Sequence, residues 1–120
     1  MKTEYPVKLR IDAKYNRIYI HRATLKKLGQ PNWVSLGIEP QHGRLLVAAV
    51  GENSLGRLRV RYDEDNSFCI HSKFLIESIR MVIPQIGTDR SYLLKGKLAE
   101  KESAADFDLR QINLKWIDDN

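Results

Sequence analysis

The chain has 120 residues, 20 of them Lys or Arg and 15 Asp or Glu, for a net charge of +5. That length suits one domain around a single core, and 42% hydrophobic with 29% charged residues is ordinary for a globular protein. No apolar run approaches the roughly 20 residues that cross a bilayer, the Met1–Pro6 start lacks a signal peptide's apolar core, and a lone cysteine, Cys69, excludes an internal disulfide, so a cytoplasmic location is expected.

Charge is unevenly spread. Residues 1–50 carry nine Lys/Arg against three acids, a balance of +6, while residues 51–120 carry eleven against twelve, a balance of −1. Such asymmetry suits a first half that faces a polyanion, though a solvated surface has the same signature.

In chain order, Val7-Lys8-Leu9-Arg10-Ile11 alternates apolar and basic residues, the period of a half-buried strand, with Pro6 just ahead of it. A polar turn with Lys14, Tyr15, Asn16 and Arg17 follows, then a short strand, Ile18-Tyr19-Ile20. The spacing next predicts a two-turn helix over about 22–28, with Leu25 and Leu28 on one face and Gly29 as its stop. Gln30-Pro31-Asn32 breaks that helix, Trp33 to Ile38 reads as a third strand, and Pro40 to Gly43 as a turn. Arg44 to Val50, almost wholly apolar, predicts a strand buried on both sides. Gly51 to Gly56 is a short polar connection within one domain.

The order then repeats. Arg59-Val60-Arg61-Tyr62-Asp63 answers Lys8 to Asp12 in residue type, and Phe68-Cys69-Ile70-His71 answers Ile18 to His21 after a turn one residue shorter. A second helix starts from Ser72 as N-cap, carries Leu75, Ile76, Ile79 and Val82/Ile83 at helical spacing, and ends at Pro84. Tyr92 to Gly96 echoes Trp33 to Gly37, and Asp106 to Ile112 alternates as a closing strand. Neither half buries enough surface to stand alone. The expected fold is therefore mainly β with two short helices: two ββαββ repeats, 7–50 and 57–112, closing one barrel-like sheet within a single domain, followed by a 113–120 tail.

This order, together with the stretch Arg17-Ile18-Tyr19-Ile20-His21-Arg22-Ala23-Thr24-Leu25-Lys26-Lys27-Leu28-Gly29, resembles the swapped-hairpin DNA-binding domain of the AbrB, MazE and MraZ proteins. Asp12-Ala13-Lys14 followed by Arg17 resembles the basic turn of the MraZ branch, whose members also carry two copies in one chain. The family's helix-opening proline is replaced by His21 and His71, the first turn is one residue longer, and the second turn, Asp63 to Ser67, has no basic residue. The resemblance implies a double-split, swapped-hairpin barrel and a transcriptional regulator that is not an enzyme and needs no cofactor. It would contact duplex DNA through the first repeat and act as a homodimer or larger assembly.

The DNA-binding candidates are Arg10, Lys14, Tyr15, Asn16, Arg17, Arg22, Lys26 and Lys27. Lys and Arg neutralise phosphates and release counterions, and Tyr15 and Asn16 at the turn's tip can hydrogen-bond to phosphates or base edges. The plain alternative is a wet surface with Arg10 paired to Asp12 or Glu4. Arg57, Arg59 and Arg61 form either a second phosphate-tracking stripe or partners for Asp63, Glu64 and Asp65.

His21 and His71 read as residues that cap or pack at the helix starts, because no ligand cluster accompanies them. Cys69 and His71 fall on one side of a strand, yet no orienting acid accompanies them, and Cys69 reads as core. In the tail, Leu114, Trp116 and Ile117 either fold back on the barrel or dock on a partner. The rival function is a protein-interaction module that kept the barrel and lost DNA binding.

Overall fold

The computed structural model describes residues 7–99 and 103–111. Expectations about Pro6, Glu4, Ile112 and the 113–120 tail lie outside the described residues.

Two runs of strand–strand–helix–strand–strand make up the chain. The first holds β1 (Val7–Asp12), β2 (Arg17–Ile20), α1 (Arg22–Lys27), β3 (Trp33–Glu39) and β4 (Arg44–Ala49). The second holds β5 (Leu58–Arg59), β6 (Phe68–His71), α2 (Lys73–Val82), β7 (Ser91–Ala99) and β8 (Ala104–Asp108), with a 3-10 turn over Leu109–Gln111. All eight strands join one antiparallel sheet in the order β5-β3-β4-β8-β7-β1-β2-β6, which curls into a half-barrel. The short β5 and β6 are its edges. Between their flanks the Asp63 N–H donates to the Ser67 carbonyl and the Ser67 N–H to the Asp63 carboxylate, each at 2.9 Å.

Alternation decides which way each strand faces. Val7, Leu9, Ile11, Ile18 and Ile20 are fully buried on the concave side, while Lys8, Arg10, Arg17 and Tyr19 are half-exposed on the convex side. The core extends through Val34, Leu45, Val47, Phe107 and Leu109 and is roofed by Ile76 and Ile79 of α2.

Helix boundaries follow from caps. The Nδ1 atom of His21 accepts the Ala23 N–H at 3.0 Å, and the Ser72 hydroxyl accepts the Leu75 N–H at 3.1 Å. Gly29, at φ +84°, ends α1 in the left-handed region. Buried Thr24 pins α1 to β1: its hydroxyl donates to the Lys8 carbonyl and accepts the Lys8 N–H, each at 2.7 Å.

Five expectations need correction. β4 is buried on one side only. Leu45 and Val47 are covered, whereas Leu46 and Ala48 on the convex face are half-exposed, because the single curled layer has no second core. The strand expected at 59–63 shrinks to Leu58–Arg59; beyond it Val60 bonds to Asn32 (2.9 Å) and the Tyr62 hydroxyl donates to the Pro31 carbonyl (2.7 Å). The closing strand runs over Ala104–Asp108, and its end coils into the 3-10 turn that buries Leu109. Cys69 is half-exposed on the convex face opposite Tyr19, since the core positions of β6 belong to Phe68 and Ile70. β7 is longer than Tyr92–Gly96, and Gly96 is there for space: a Cβ would lie 2.5 Å from the Asp106 carbonyl oxygen and 2.7 Å from the Phe107 ring.

Candidate nucleic-acid interface

The β1–β2 turn and α1 stand at opposite ends of β2, so a basic path between them runs along the convex face. At the tip Lys14 and Tyr15 are exposed, and Asn16 adopts φ +53°, a left-handed turn position that asparagine tolerates. The Asn16 carbonyl accepts the Ser72 N–H at 2.8 Å, which ties the tip to the start of α2.

Arg17 is committed inward. Its Nη2 donates to the Asp12 carboxylate at 2.7 Å, with the carboxylate side chain 9% exposed and the guanidinium 28%. Register places the two directly across the hairpin, and the guanidinium also stacks 4.7 Å from the Tyr15 centroid and 5.4 Å from that of Tyr19. The hydrogen bond to Asp12 raises the Arg17 pKa most; burial opposes it, and the charges of Tyr19 and Asp12 add to the rise. Arg17 is thus held within the hairpin by Asp12 and the rings of Tyr15 and Tyr19. Arg10, paired across from Tyr19, lies 5.8 Å from the same ring's centroid. Burial first, then Cys69, pushes the Tyr19 hydroxyl up, opposed by Arg17.

Pairing adds two cations that the linear pattern did not single out. Lys8 lies directly across from Lys95 of β7, two like charges in register on the convex face. Their signal in the sequence is weak, because only the β1–β7 pairing unites residues 87 positions apart (95−8).

The result is legible at His21. Burial lowers its pKa most, and the charges of Lys8, Arg22 and Arg10 lower it further, with Asp65 opposing. Lys8, Arg10 and Arg22 therefore share one positive neighbourhood. Arg22, Lys26 and Lys27 are exposed on α1, whose opposite face buries Thr24 and Leu25. Lys26 and Lys27 also sit in the last turn, where the helix dipole favours cations whatever the ligand.

An acidic loop borders this end. The Arg22 N–H donates to the Ser67 hydroxyl at 3.0 Å, bringing the 63–67 turn against α1. In that turn the Asp63 carboxylate accepts the Asp65 and Ser67 N–H groups, each at 2.9 Å, and is thereby used locally. Of the arginine stripe, Arg57 and Arg59 stack on Trp33 at 5.0 and 5.2 Å. Arg57 also donates from Nη1 to the Ser54 carbonyl at 3.3 Å.

Among the described residues there is no group of three His, Cys, Asp or Glu side chains that would hold a metal ion, and no helix long and apolar enough to cross a membrane. Comparison with family models, curated proteins and solved structures yields no match. Function rests on the chain's own geometry.

Proposed function

We propose that the protein binds duplex DNA through the convex basic face of β7, β1 and β2 together with α1, as a transcriptional regulator resembling AbrB and MraZ. The observation that carries this reading is the stripe of Lys14, Arg10, Lys8 and Lys95 running toward Arg22, Lys26 and Lys27, with Asp12, the acid on its β1 positions, already neutralised by Arg17. Along β1, from Val7 to Asp12, this face is about 17 Å long at 3.3 Å per residue, or about five base-pair steps of B-form DNA. Tyr15 and Tyr19 offer hydrogen-bonding groups within it.

The swapped-hairpin reading of the fold belongs to the same proposal. Support comes from how the halves interlace: β1 pairs with β7, β3 with β5, β2 with β6 and β4 with β8. Tyr19 faces Cys69, its own counterpart 50 positions later, as an internal two-fold requires. In this reading each half completes the other, and one chain supplies what two copies supply in a dimeric relative. Contacts of this number usually need a second protein copy for useful affinity, so a homodimer on DNA is part of the reading. The acidic 63–65 turn against α1 favours the rival, a protein-interaction module, for that end of the surface.

Anisotropy of a labelled mixed-sequence duplex tests the proposal. With around six phosphate contacts, affinity falls about a thousandfold between roughly 50 and 200 mM salt. The Lys8→Ala/Lys14→Ala/Lys95→Ala variant is expected to weaken binding uniformly across sequences and lower the salt slope by about three. Its melting temperature holds, because Lys8 and Lys95 repel one another across the strands. Unchanged affinity and slope in the triple variant would overturn the assignment.

A further inference from the structure

The concave face of β3 is covered at one end and open at the other. Val34 is fully buried, yet Leu36 and Ile38, on the same side of the strand, are only half-buried. Facing them, α2 presents Phe74, Leu75 and Met81 around a cavity of 440 Å³ that Pro40 also lines. Phe74 is 76% exposed and Met81 84%. An apolar gap of this kind interrupts the core lining itself, and leaving it wet is unfavourable.

We propose that the chain's own segment from Ile112 to Ile117 fills this groove. Three observations converge on that occupant. The first is where the described chain stops. The Leu109 N–H donates to the Gly43 carbonyl at 2.8 Å and Arg110 Nη2 donates to the Gln41 carbonyl at 2.6 Å, so the chain is held at the β3–β4 turn, one residue from Pro40 on the groove wall.

The second is pattern and length. Ile112, Leu114 and Trp116 alternate with Asn113 and Lys115, which in an extended segment gives one apolar edge. From Ile112 to Trp116 that edge spans about 13 Å at 3.3 Å per residue. The α2 wall from Phe74 to Val82 is about 12 Å long at 1.5 Å per residue.

The third is competition. A tethered segment acts at an effective concentration in about the millimolar range, so it outcompetes a second copy of the chain at ordinary protein concentrations. The segment serves as the missing stave of the half-barrel's lining. It also hides Phe74 and Met81 from water, suppressing self-association through that patch.

The test uses the whole chain. Its two tryptophans are Trp33 and Trp116, so Trp33→Phe leaves Trp116 as sole reporter. A blue-shifted Trp116 emission protected from acrylamide is expected. Adding Phe74→Glu and Met81→Glu, both at exposed positions and so tolerated by the fold, shifts emission to the red and abolishes the protection. A solvent-like Trp116 in the Trp33→Phe protein, or a protected one indifferent to the two glutamates, overturns the proposal. A cross-link separates the chain's own segment from a neighbour's even if the protein is dimeric. In a Cys69→Ser background carrying Ser78→Cys and Leu114→Cys, mild oxidation is expected to give a cross-linked band of monomer size. A dimer-sized band, or none, overturns it.

Discussion

Arg17→Ala distinguishes a brace from a phosphate hook. The substitution leaves the Asp12 carboxylate, 9% exposed, without the guanidinium that bonds it at 2.7 Å. Stranding a buried carboxylate costs about 1–3 kcal/mol, and the 28% exposure of Arg17, which lets water in, places the expected loss near 2 kcal/mol. For a domain of this size that is about 8 °C in Tm. In an Asp12→Asn background the same Arg17→Ala change should cost less than about 1 kcal/mol, giving a coupling of about 1–2 kcal/mol in a double-mutant cycle read by thermal and urea unfolding. DNA affinity should change little in conditions where both proteins are folded. An unchanged Tm combined with a many-fold loss of DNA affinity would refute the reasoning and return Arg17 to the phosphate contacts.

Protonation of His21 removes the Nδ1 lone pair that caps α1, and its folded pKa is lowered. The unfolded chain then takes up the proton first, so stability is full above about pH 6.5 and is lost as pH falls from there through the lowered folded value. His21→Asn should keep the cap and flatten this part of the pH profile, as urea unfolding between pH 7.5 and 5 would show. Because Lys8, Arg22 and Arg10 contribute to the lowering, bound duplex should raise the His21 pKa in an NMR titration, and no rise would separate DNA from this surface. Gly96→Ala should destabilise by about 1–3 kcal/mol, because its Cβ meets the Asp106 carbonyl and Phe107. Gly37→Ala, with nothing within 4 Å, should be near neutral in the same melt. Thr24→Val should cost about 2 kcal/mol by removing both bonds to the Lys8 backbone.

Local signals were the most readable. Ser72 as N-cap, Gly29 as helix stop, Pro84 after α2 and the alternation of Val7 to Ile11 all depend on residues within a turn or two of one another. Features set by pairing between distant strands were not. Cys69 looked like core because its neighbours are apolar, and only its register against Tyr19 turns it outward. Arg17 looked free because the turn is polar, and only the closing pair of the hairpin sets it across from Asp12. Lys8 and Lys95 join the basic stripe through the β1–β7 ladder alone. Arg44 to Val50 read as doubly buried because apolar content does not reveal how many layers a fold has; Leu46 and Ala48 face outward in a one-layer sheet.

The β1–β7 ladder sets a timetable for the nascent chain. Val7 finds its partner at Gly96, 89 positions later (96−7). Until that stretch leaves the ribosome, β1 has a bare flank, with only β2 beside it. Closing so distant a pair is entropically slow. During that wait, the alternating charges of Lys8 and Arg10 repel other exposed strands and guard β1 against premature pairing.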